Sequence, residues 1–263
     1  MARSPAWRRV RAIRSALPPT IMFVALIALW ELCVRLFDIP EFLLPAPSAI
    51  LNALAQQAPN VMQHTQSTLF TVLVGFAVSI LIGFPLAVAI ASSPLLASAL
   101  YPLLVLTQSV PKVAIAPLLV ITLGANALPR ILVTFLVAFF PLVISIAAGL
   151  LATPPELIEL GRALKASWLQ LLVRIRLPSA IPFIFSGLKM AITFSVIGAV
   201  VGEFIAADRG LGYLVTSSTA FFRTSLAFGA VVLLSVIGIV LFQAVVLVER
   251  VFFPWSATSG RSL

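Results

Sequence analysis

The chain has 263 residues, of which 61% are hydrophobic and 10% charged, and its mean hydropathy is +1.16. An ordinary soluble domain is about half apolar and about a quarter charged, so this composition cannot supply a charged exterior and excludes a soluble domain. The formal net charge of +9 indicates attraction to anionic lipid headgroups. It does not indicate nucleic-acid binding, because the arginines are split among separate segments.

Continuous apolar runs predict an all-α polytopic membrane protein with about six transmembrane helices. A bilayer crossing needs roughly 20 mostly apolar residues, and only helices or closed barrels satisfy the backbone in lipid. The runs do not alternate between apolar and polar residues, which favours helices. The predicted spans are about Pro19–Phe37, Leu69–Ile90, Leu96–Leu123, Ile131–Leu151, Phe183–Ile205 and Leu226–Val251. Pro111 and Pro117 interrupt the third run, so we expect that span to kink or break.

Basic residues cluster at one end of the predicted spans. They are Arg3, Arg8, Arg9, Arg11 and Arg14 in segment 1–18, Arg162, Lys165, Arg174 and Arg176 in segment 152–182, and Arg250 and Arg261 near the C-terminal end. Cytosolic loops are enriched in Lys and Arg, and an even number of spans returns the chain to its starting side. We therefore expect both termini and segment 152–182 in the cytosol. The apolar run after the basic N-terminus is long and lacks a cleavage site, so we interpret it as an uncleaved span.

Few residues in the chain are suited to catalysis or metal binding. His64 is the only histidine and Cys33 the only cysteine, which excludes a zinc set and an intramolecular disulfide. We expect His64, just before the second span, to take a surface or interfacial position. The sequence has neither a GxxxxGK[ST] phosphate-binding loop nor a serine in a glycine-flanked elbow. We therefore predict that this chain is not an enzyme, and that any ATP is bound by another subunit.

The charged segment 152–182, which we call the polar hairpin, predicts two short helices joined by a turn. Thr153 followed by Glu156, and Ser167 followed by Gln170, both have the spacing of a capping box, in which side-chain and backbone groups satisfy each other at a helix start. The helices are expected at about Pro154–Leu164 and Trp168–Arg176, with the turn at Lys165-Ala166.

An apolar stripe runs along the polar hairpin, and its charged residues fall outside the stripe. The stripe recurs at three- and four-residue steps and comprises Leu157, Leu160, Leu164, Trp168, Leu171 and Ile175. A generic amphipathic segment of this kind can lie flat in the membrane interface. Two capped helices with an enforced corner better suit a protruding knob that fits a groove on a partner. Pro178 and Pro182 are expected to end the second helix before the fifth span.

The polar hairpin resembles the EAA loop of the permease subunits of bacterial ABC importers. The matching residues are Glu159-Leu160-Gly161, then Lys165, then Ile175-Arg176-Leu177-Pro178. Supporting segments are Leu44-Pro45-Ala46-Pro47-Ser48, Val110-Pro111-Lys112-Val113-Ala114-Ile115-Ala116-Pro117-Leu118 and Gly210-Leu211-Gly212-Tyr213-Leu214. The likeness covers nearly the whole chain from about Pro19 on. It is greatest to the branch of nitrate, sulfonate and taurine permeases, which also includes permeases for vitamin-like pyrimidines and riboflavin.

The chain departs from the family pattern at two places in this loop. The usual second and third residues are alanines, here Leu160 and Gly161, and the usual glycine is Lys165 here. That glycine would be the left-handed residue that ends the first helix, where a side chain costs about 1 kcal/mol. Either Lys165 adopts that conformation or the corner is built differently.

The resemblance implies that 1–263 is a single permease domain, pairing as a homodimer in the bacterial cytoplasmic (inner) membrane. Implied partners are two cytosolic ABC subunits that bind ATP and Mg, and an extracytoplasmic substrate-binding protein; this chain would hold no cofactor. The first hairpin helix would be the coupling helix, with Glu159 as charged contact, Leu160 and Leu164 as apolar anchors and Gly161 for close backbone approach. The implied coupling residues are Glu156, Glu159, Leu160, Gly161, Leu164 and Lys165. The implied substrate is a small polar or anionic compound such as a sulfonate, taurine, nitrate or a vitamin-like pyrimidine.

Polar residues within the spans are candidates for the translocation path, because they are costly in lipid. Lys112 lies beside the break at Pro111, where freed backbone groups should line protein or water, and we group Gln108 and Ser109 with it. Lys189 lies about two turns into the fifth span, and it either snorkels to the cytosolic interface or faces the path. The two lysines would suit an anionic substrate.

Glu203 ends the fifth span at the side opposite the polar hairpin. It could act as a gate, pair with Arg209, or be a plain interfacial charge. Gly210 and Gly212 predict a turn directly afterwards. The resemblance implies that this outer loop meets the binding protein or closes the gate.

An ion-coupled secondary transporter is the main alternative to an ABC importer permease. It should show inverted internal repeats and a midplane carboxylate. We find no convincing repeat, and no Asp or Glu near the centre of spans two to five. A membrane enzyme or an assembly scaffold is a third alternative, disfavoured by the missing catalytic residue sets. We therefore expect a permease subunit of an ATP-driven importer.

Overall fold

The computed structural model describes residues 5–258, with the side chains of 18–256 except those of residues 19 and 206. Arg3 and Arg261, which contribute to the predicted orientation, lie outside the described residues. The described residues form helices joined by short loops. In chain order the helices are α1 (Pro5–Leu36), α2 (Pro47–Gln56), α3 (Ala58–Ser92), α4 (Pro94–Thr107), a 3₁₀ turn (Lys112–Ile115), α5 (Ala116–Leu123), α6 (Ala127–Leu151), α7 (Pro155–Ala163), α8 (Trp168–Leu171), a π turn (Leu172–Arg176), α9 (Leu177–Ala206), α10 (Leu211–Ala220), α11 (Thr224–Phe252) and α12 (Pro254–Thr258).

Within the described residues, four helices are long and apolar enough to cross a membrane. They are α3, α6, the continuous stretch Trp168–Ile205, and α11, and the pair of α4 with Lys112–Leu123 forms a fifth, broken span. These correspond to the second to sixth predicted spans. The first predicted span, Pro19–Phe37, lies mostly in α1, whose apolar side chains from Ile21 onward are largely exposed.

The third predicted span breaks where its prolines predict. α4 ends at Thr107, and the chain resumes as a 3₁₀ turn after Pro111, with a bend of 78° between the two halves. Pro111 lacks the N–H that would continue the helix. Pro117 lies in the first turn of α5, where a missing N–H costs nothing. The expected break is confirmed.

The main core lies where α6 and α9 pack along each other beside α3. Ile90, Ile146 and Ala191 contribute fully buried side chains to it from the three helices. A Cβ atom on Gly198 of α9 would lie only 2.7 Å from the Thr134 Cα of α6. Because no side chain separates the two backbones there, the helices approach as closely as small residues allow in membrane bundles.

α1 is attached to the bundle through a polar contact near its C-terminal end. The Glu31 carboxylate accepts hydrogen bonds from the Ser48 N–H (3.0 Å) and hydroxyl (2.7 Å), and from the Arg35 Nε (2.7 Å). Ser48 lies in the first turn of α2, which has no side-chain cap of its own. A carboxylate at this position complements the positive end of the α2 dipole.

The polar hairpin continues into the fifth span without interruption. α8, the π turn and α9 form one helix, so the expectation that Pro178 and Pro182 end the second hairpin helix is wrong. Pro178 lies in the first turn of α9, directly after the π turn. In a regular helix its ring would clash with the carbonyl four residues earlier, and a π turn widens the helix at that point.

Candidate functional site

The sequence-predicted site residues fall mainly into two groups at opposite ends of the bundle. The polar hairpin connects the end of α6 to the start of α9. The start of α6 and the end of α9 meet at the other end, next to the loop 207–210. Since α6 has 25 residues, its two ends, each next to one of the groups, are roughly 38 Å apart at 1.5 Å per residue. We call the second group the far-end cluster.

The first helix of the polar hairpin begins differently from its predicted capping box. The N-cap residue of α7 is Pro154, and no side chain caps the helix. The Thr153 hydroxyl instead donates a hydrogen bond to the Leu150 carbonyl oxygen (3.1 Å) at the end of α6. The predicted Thr153–Glu156 box is therefore wrong, because the hydroxyl has an acceptor on the preceding helix.

The second hairpin helix begins with the predicted capping box. The Gln170 N–H donates to the Ser167 hydroxyl oxygen (3.3 Å), and the Ser167 N–H donates to the Gln170 Oε1 (2.7 Å). Two backbone donors at the start of α8 are therefore satisfied reciprocally.

Lys165 adopts the left-handed conformation at the corner of the polar hairpin. Its φ is 56°, and α7 ends just before it. The Ala166 N–H donates to the Gly161 carbonyl oxygen and the Lys165 N–H to that of Arg162, both at 2.9 Å. These two bonds are the pair of a Schellman motif, which satisfies the last carbonyls of a helix. Of the two alternatives expected for this corner, the structure therefore shows the first: Lys165 itself adopts the left-handed conformation.

The apolar stripe of the polar hairpin divides into an inner and an outer part. Leu171 and Ile175 are half-buried and pack against Gly161, on which a Cβ atom would lie 2.5 Å from the Leu171 Cδ2. The close approach that Gly161 permits is therefore within the hairpin itself, and not to a partner as expected. The outer part is exposed, with exposed fractions of 44–75%, and comprises Leu157, Leu160, Leu164 and Trp168. We call these four residues the exposed hairpin face.

Charged candidates of the coupling loop surround the exposed hairpin face. Glu156 and Glu159 of α7 are exposed, as is Lys165 at the corner. At the inner end of the hairpin, an Arg176 Nη1 donates a hydrogen bond to the Ala91 carbonyl oxygen near the end of α3. The hairpin is therefore bonded both to α9, by chain continuity, and to α3.

Three of the predicted path residues lie around the break in the third span. Gln108 and Ser109 are exposed, and the Lys112 Nζ lies 4.8 Å from the ring centroid of Phe140 on α6. A cation at this distance over an aromatic face is attracted to the ring.

Lys189 is engaged by an ion pair inside the bundle. Its Nζ lies 2.5 Å from the Glu249 Oε2 of α11, and the Glu249 side chain is nearly buried. The Ser256 hydroxyl of α12 donates to the other carboxylate oxygen of Glu249 (2.9 Å). The Lys189 side chain is 26% exposed and lines a small cavity together with Ser186 and Thr193, so the ion pair reduces its net charge but does not decide between the two expected roles.

Glu203 lies at the centre of the far-end cluster. It is 1% exposed, so it is not the plain interfacial charge expected, and Arg209 pairs with Asp208 instead. The carboxylate accepts hydrogen bonds from the Thr68 hydroxyl (2.9 and 3.0 Å to its two oxygens) and from the Gly212 N–H (2.8 Å). Glu203 thereby joins α3 and α9 to the start of α10.

The loop before α10 is held by buried groups from α3 and α6. The Gly210 N–H donates to the His64 Nδ1 (3.0 Å), and the Leu211 N–H donates to the Thr68 hydroxyl oxygen (2.7 Å). Arg130 donates to the Arg209 carbonyl oxygen (2.8 Å) through Nη1. His64 is 8% exposed, so its expected surface position is wrong. No group of three or more potential metal ligands occurs in the part of the chain that the structure describes.

The backbone conformation of the turn before α10 requires glycine at position 210. Gly210 has φ 121°, a conformation that side chains rarely adopt. A Cβ atom on it would also lie 2.2 Å from the Glu203 Cδ. The loop can therefore close over the buried carboxylate only with glycine at this position.

Sequence reasoning missed Thr68, Arg130 and Glu249 as site residues. A glutamate inside a predicted span and an arginine directly before another are themselves a signal, since such charges are costly in lipid and require partners. Thr68 gave no such signal, because its role depends on contacts with residues about 140 positions away.

Comparison with known proteins agrees with this architecture. The family model described as binding-protein-dependent transport system inner membrane component matches residues 79–254. The formylaminopyrimidine transport permease protein ThiX of Halalkalibacterium halodurans is 34% identical over 241 residues, 91% of this chain and 96% of that protein. The riboflavin transport system permease protein RibX of Chloroflexus aurantiacus is 37% identical over 244 residues, covering 92% and 90%. A chain of the MetNI methionine ABC transporter, solved in inward-facing conformations, has the same fold, with a TM-score of 0.65, 19% identity and coverage of 74% of this chain and 97% of that one.

Proposed function

Because this chain belongs to the family of binding-protein-dependent transport system inner membrane components, we propose that its polar hairpin couples it to cytosolic ATPase subunits. The chain is a multi-pass permease subunit of an ABC importer. Two ATPase subunits bind ATP and Mg, and a second permease copy completes the path. Closure of the ATPases pushes the hairpins and turns the path from inward-open to outward-open.

The proposed orientation places both termini and the polar hairpin in the cytosol of a bacterium. The support is the distribution of Lys and Arg, which favours the hairpin side as cytosolic. The far-end cluster then faces the extracytoplasmic side, where a substrate-binding protein delivers the solute. The loop that contains Gly210 and Gly212 acts there as the outer gate.

The observation that carries the proposed coupling is the exposed hairpin face. Leu160 and Leu164 are 59% and 75% exposed, although both are large apolar residues; Leu160 lies on the nine-residue helix α7 and Leu164 is its C-cap residue. Glu156 and Glu159 lie on the same helix and are exposed. An apolar face with a charged rim on a short helix fits a hydrophobic groove on a partner.

The substrate proposed from this reading is a small polar or anionic compound. Lys112 remains the cationic candidate near the broken span, with Gln108 and Ser109 beside it. Lys189 contributes little to attracting an anion, because Glu249 neutralises it. The names of the relatives specify a pyrimidine and riboflavin for those proteins.

The coupling is tested with Leu164→Asp and Glu159→Lys in the permease co-expressed with its ATPase. Both variants should lose the ATPase during purification and lose transport. Leu164→Asp places a charge in the apolar groove of the partner, and Glu159→Lys reverses the sign of a charge at its rim. Leu169→Asp is the matched control, since Leu169 is 60% exposed on the same hairpin but lies outside the stripe. Membrane insertion is measured for all three.

Retention of the ATPase and of full transport by Leu164→Asp would refute the coupling role. Equal loss in Leu164→Asp and Leu169→Asp would also refute it, because the effect would then follow from any charge on the hairpin.

A further inference from the structure

A cavity of about 1020 Å³ opens at the far end of the bundle, opposite the polar hairpin. Its walls come from the first turns of α3, the start of α6, the loop 207–210, α10 and the start of α11. Ligand sites in proteins commonly have about 300–1,000 Å³, so the volume suits a small solute with several hydration waters.

The charged residues of the cavity are mostly arginines. Arg130, Arg209 and Arg223 line it, with Asp208 as the one acidic residue among its lining side chains in the described part of the chain. Asp208 pairs with Arg209 at 3.6 Å, but both side chains are more than 70% exposed, so the pair is weak. Glu203 interacts electrostatically with Arg130, but it is hydrogen-bonded to Thr68 and Gly212 and is not among the residues that line the cavity. The cavity therefore carries an excess of positive charge.

Arg130 is the buried part of this charge. It is 7% exposed, and its Nη1 donates to the Arg209 carbonyl oxygen (2.8 Å) and the Ser67 hydroxyl (3.4 Å). Its Nε is buried and has no hydrogen-bond partner. A buried guanidinium N–H without a partner loses its hydration without compensation, and an anion drawn into the cavity lowers that cost through its charge.

The remaining lining combines hydrogen-bonding and aromatic side chains. The rings of Tyr213 and His64 lie with their centroids 5.7 Å apart and are tilted by 36°, and amide side chains such as Gln63 and Gln66 of α3 complete the wall. Such a lining offers donors to an acid group and an aromatic surface to the carbon skeleton that carries it.

We propose that this cavity is a binding site for a small organic anion with a sulfonate or carboxylate group. Arg209 and Arg223 contact the acid group from the exposed side, and Arg130 is a positioning residue that holds the 207–210 loop and supplies fixed positive charge behind it. The proposal rests on the proposed function in one respect, the role of the site in transport. An anionic solute would bind there before it enters the translocation path. Lys112 lies outside this site and is not needed for it.

The test is a binding titration of the purified permease with 1-butanesulfonate, with 1-butanol as the uncharged probe of the same chain length. 1-Butanesulfonate should bind, and 1-butanol should not compete with it. Arg209→Gln and Arg223→Gln should each weaken binding about tenfold, the loss expected for one charge-assisted contact. Arg35→Gln is the control, because Arg35 is an exposed arginine at the same end of the bundle that pairs with Glu31 and lies outside the cavity.

Three results would overturn the proposal. The first is a control that behaves like the test: 1-butanol binds as tightly as 1-butanesulfonate, or Arg35→Gln weakens binding as much as Arg209→Gln does. The second is displacement of the probe by dihexanoylphosphatidylglycerol at lower concentration than by 1-butanesulfonate itself, which would assign the arginines to a lipid headgroup. The third is binding that occurs only when a binding protein is present, which would make the cavity a protein interface.

Failure of this proposal is separable from failure of the proposed function. Co-purification of the ATPase with the unsubstituted permease tests the function without any anion. The titration of the permease alone tests the cavity without the ATPase.

Discussion

Lys165→Gly should stabilise the polar hairpin, because glycine removes the strain of the left-handed corner. A side chain in this conformation costs roughly 1–2 kcal/mol. Glycine also makes the unfolded hairpin more flexible, which subtracts about 0.4–1 kcal/mol. The Schellman bonds from Lys165 and Ala166 are made by the backbone and survive the change. The expected net gain is therefore about 0.7 kcal/mol in local stability.

Amide hydrogen exchange measures this gain in the hairpin directly. A gain of about 0.7 kcal/mol slows exchange in α7 and the corner roughly threefold, since 1.4 kcal/mol corresponds to a factor of ten. Lys165→Ala is the control: it removes the same amine but keeps the strained φ of 56°, so exchange should not slow. Faster exchange in Lys165→Gly would refute the strain argument. Loss of ATPase binding in both variants would show that the lysine side chain itself contacts the ATPase.

Two further predictions concern the buried polar groups. Glu249→Gln should lower the thermal unfolding midpoint of the purified permease by the equivalent of about 2 kcal/mol, less than for a fully buried ion pair, because the Lys189 side chain that loses its partner is 26% exposed. The double change Lys189→Met with Glu249→Met should restore most of the loss. No recovery would contradict the pairing argument. Thr68→Val should cost about 1–3 kcal/mol by the same measurement, since it leaves the Leu211 N–H without an acceptor and removes the Thr68 hydrogen bond to Glu203, which keeps only that from Gly212. Thr71→Val is the matched control, because the Thr71 hydroxyl bonds only to a carbonyl of its own helix, and equal losses would rule out a special role for Thr68.

The sequence predicted those elements of the fold that depend on local chemistry. Pro111 ends α4 because it has no N–H, and the Ser167–Gln170 box forms because both partners lie within one turn. Thr153 has the same spacing but donates to the Leu150 carbonyl at the end of α6. A short polar side chain near a helix end can choose among several backbone partners, and spacing alone does not decide between them.

Proline also misled the sequence reasoning at the junction of the polar hairpin and α9. Pro178 normally marks a helix boundary, because the residue before a proline disfavours the helical region. Here the π turn Leu172–Arg176 precedes it, and the helix continues. A π turn requires one extra residue in the helix and has no strong local pattern, so it could not be predicted from the proline.

The far-end cluster could be predicted only in part. Glu203 and Gly210 stood out because one is a charge in an apolar span and the other a glycine in a turn. The two residues are in contact because the loop after α9 folds back over the end of that helix, where the absence of a Cβ on Gly210 leaves room for the Glu203 carboxylate. This folding back could not be predicted from either residue alone. His64 accepts a hydrogen bond from the Gly210 N–H, and the two residues are 146 positions apart in the sequence. No local pattern contains that information.

The two ends of the molecule are joined along two separate helices. The stretch Trp168–Ile205 has 38 residues, so it extends roughly 57 Å from the exposed hairpin face to the region of Glu203. α3 runs beside it and is bonded to the hairpin through Arg176 and to the far-end loop through Thr68. Because this stretch is one continuous helix, the exposed hairpin face and the region of Glu203 are joined by a single structural element. The π turn therefore has a mechanical consequence: we expect a push on the polar hairpin to move α3 and α9 together and to reach the loop at Gly210, the element proposed as the outer gate.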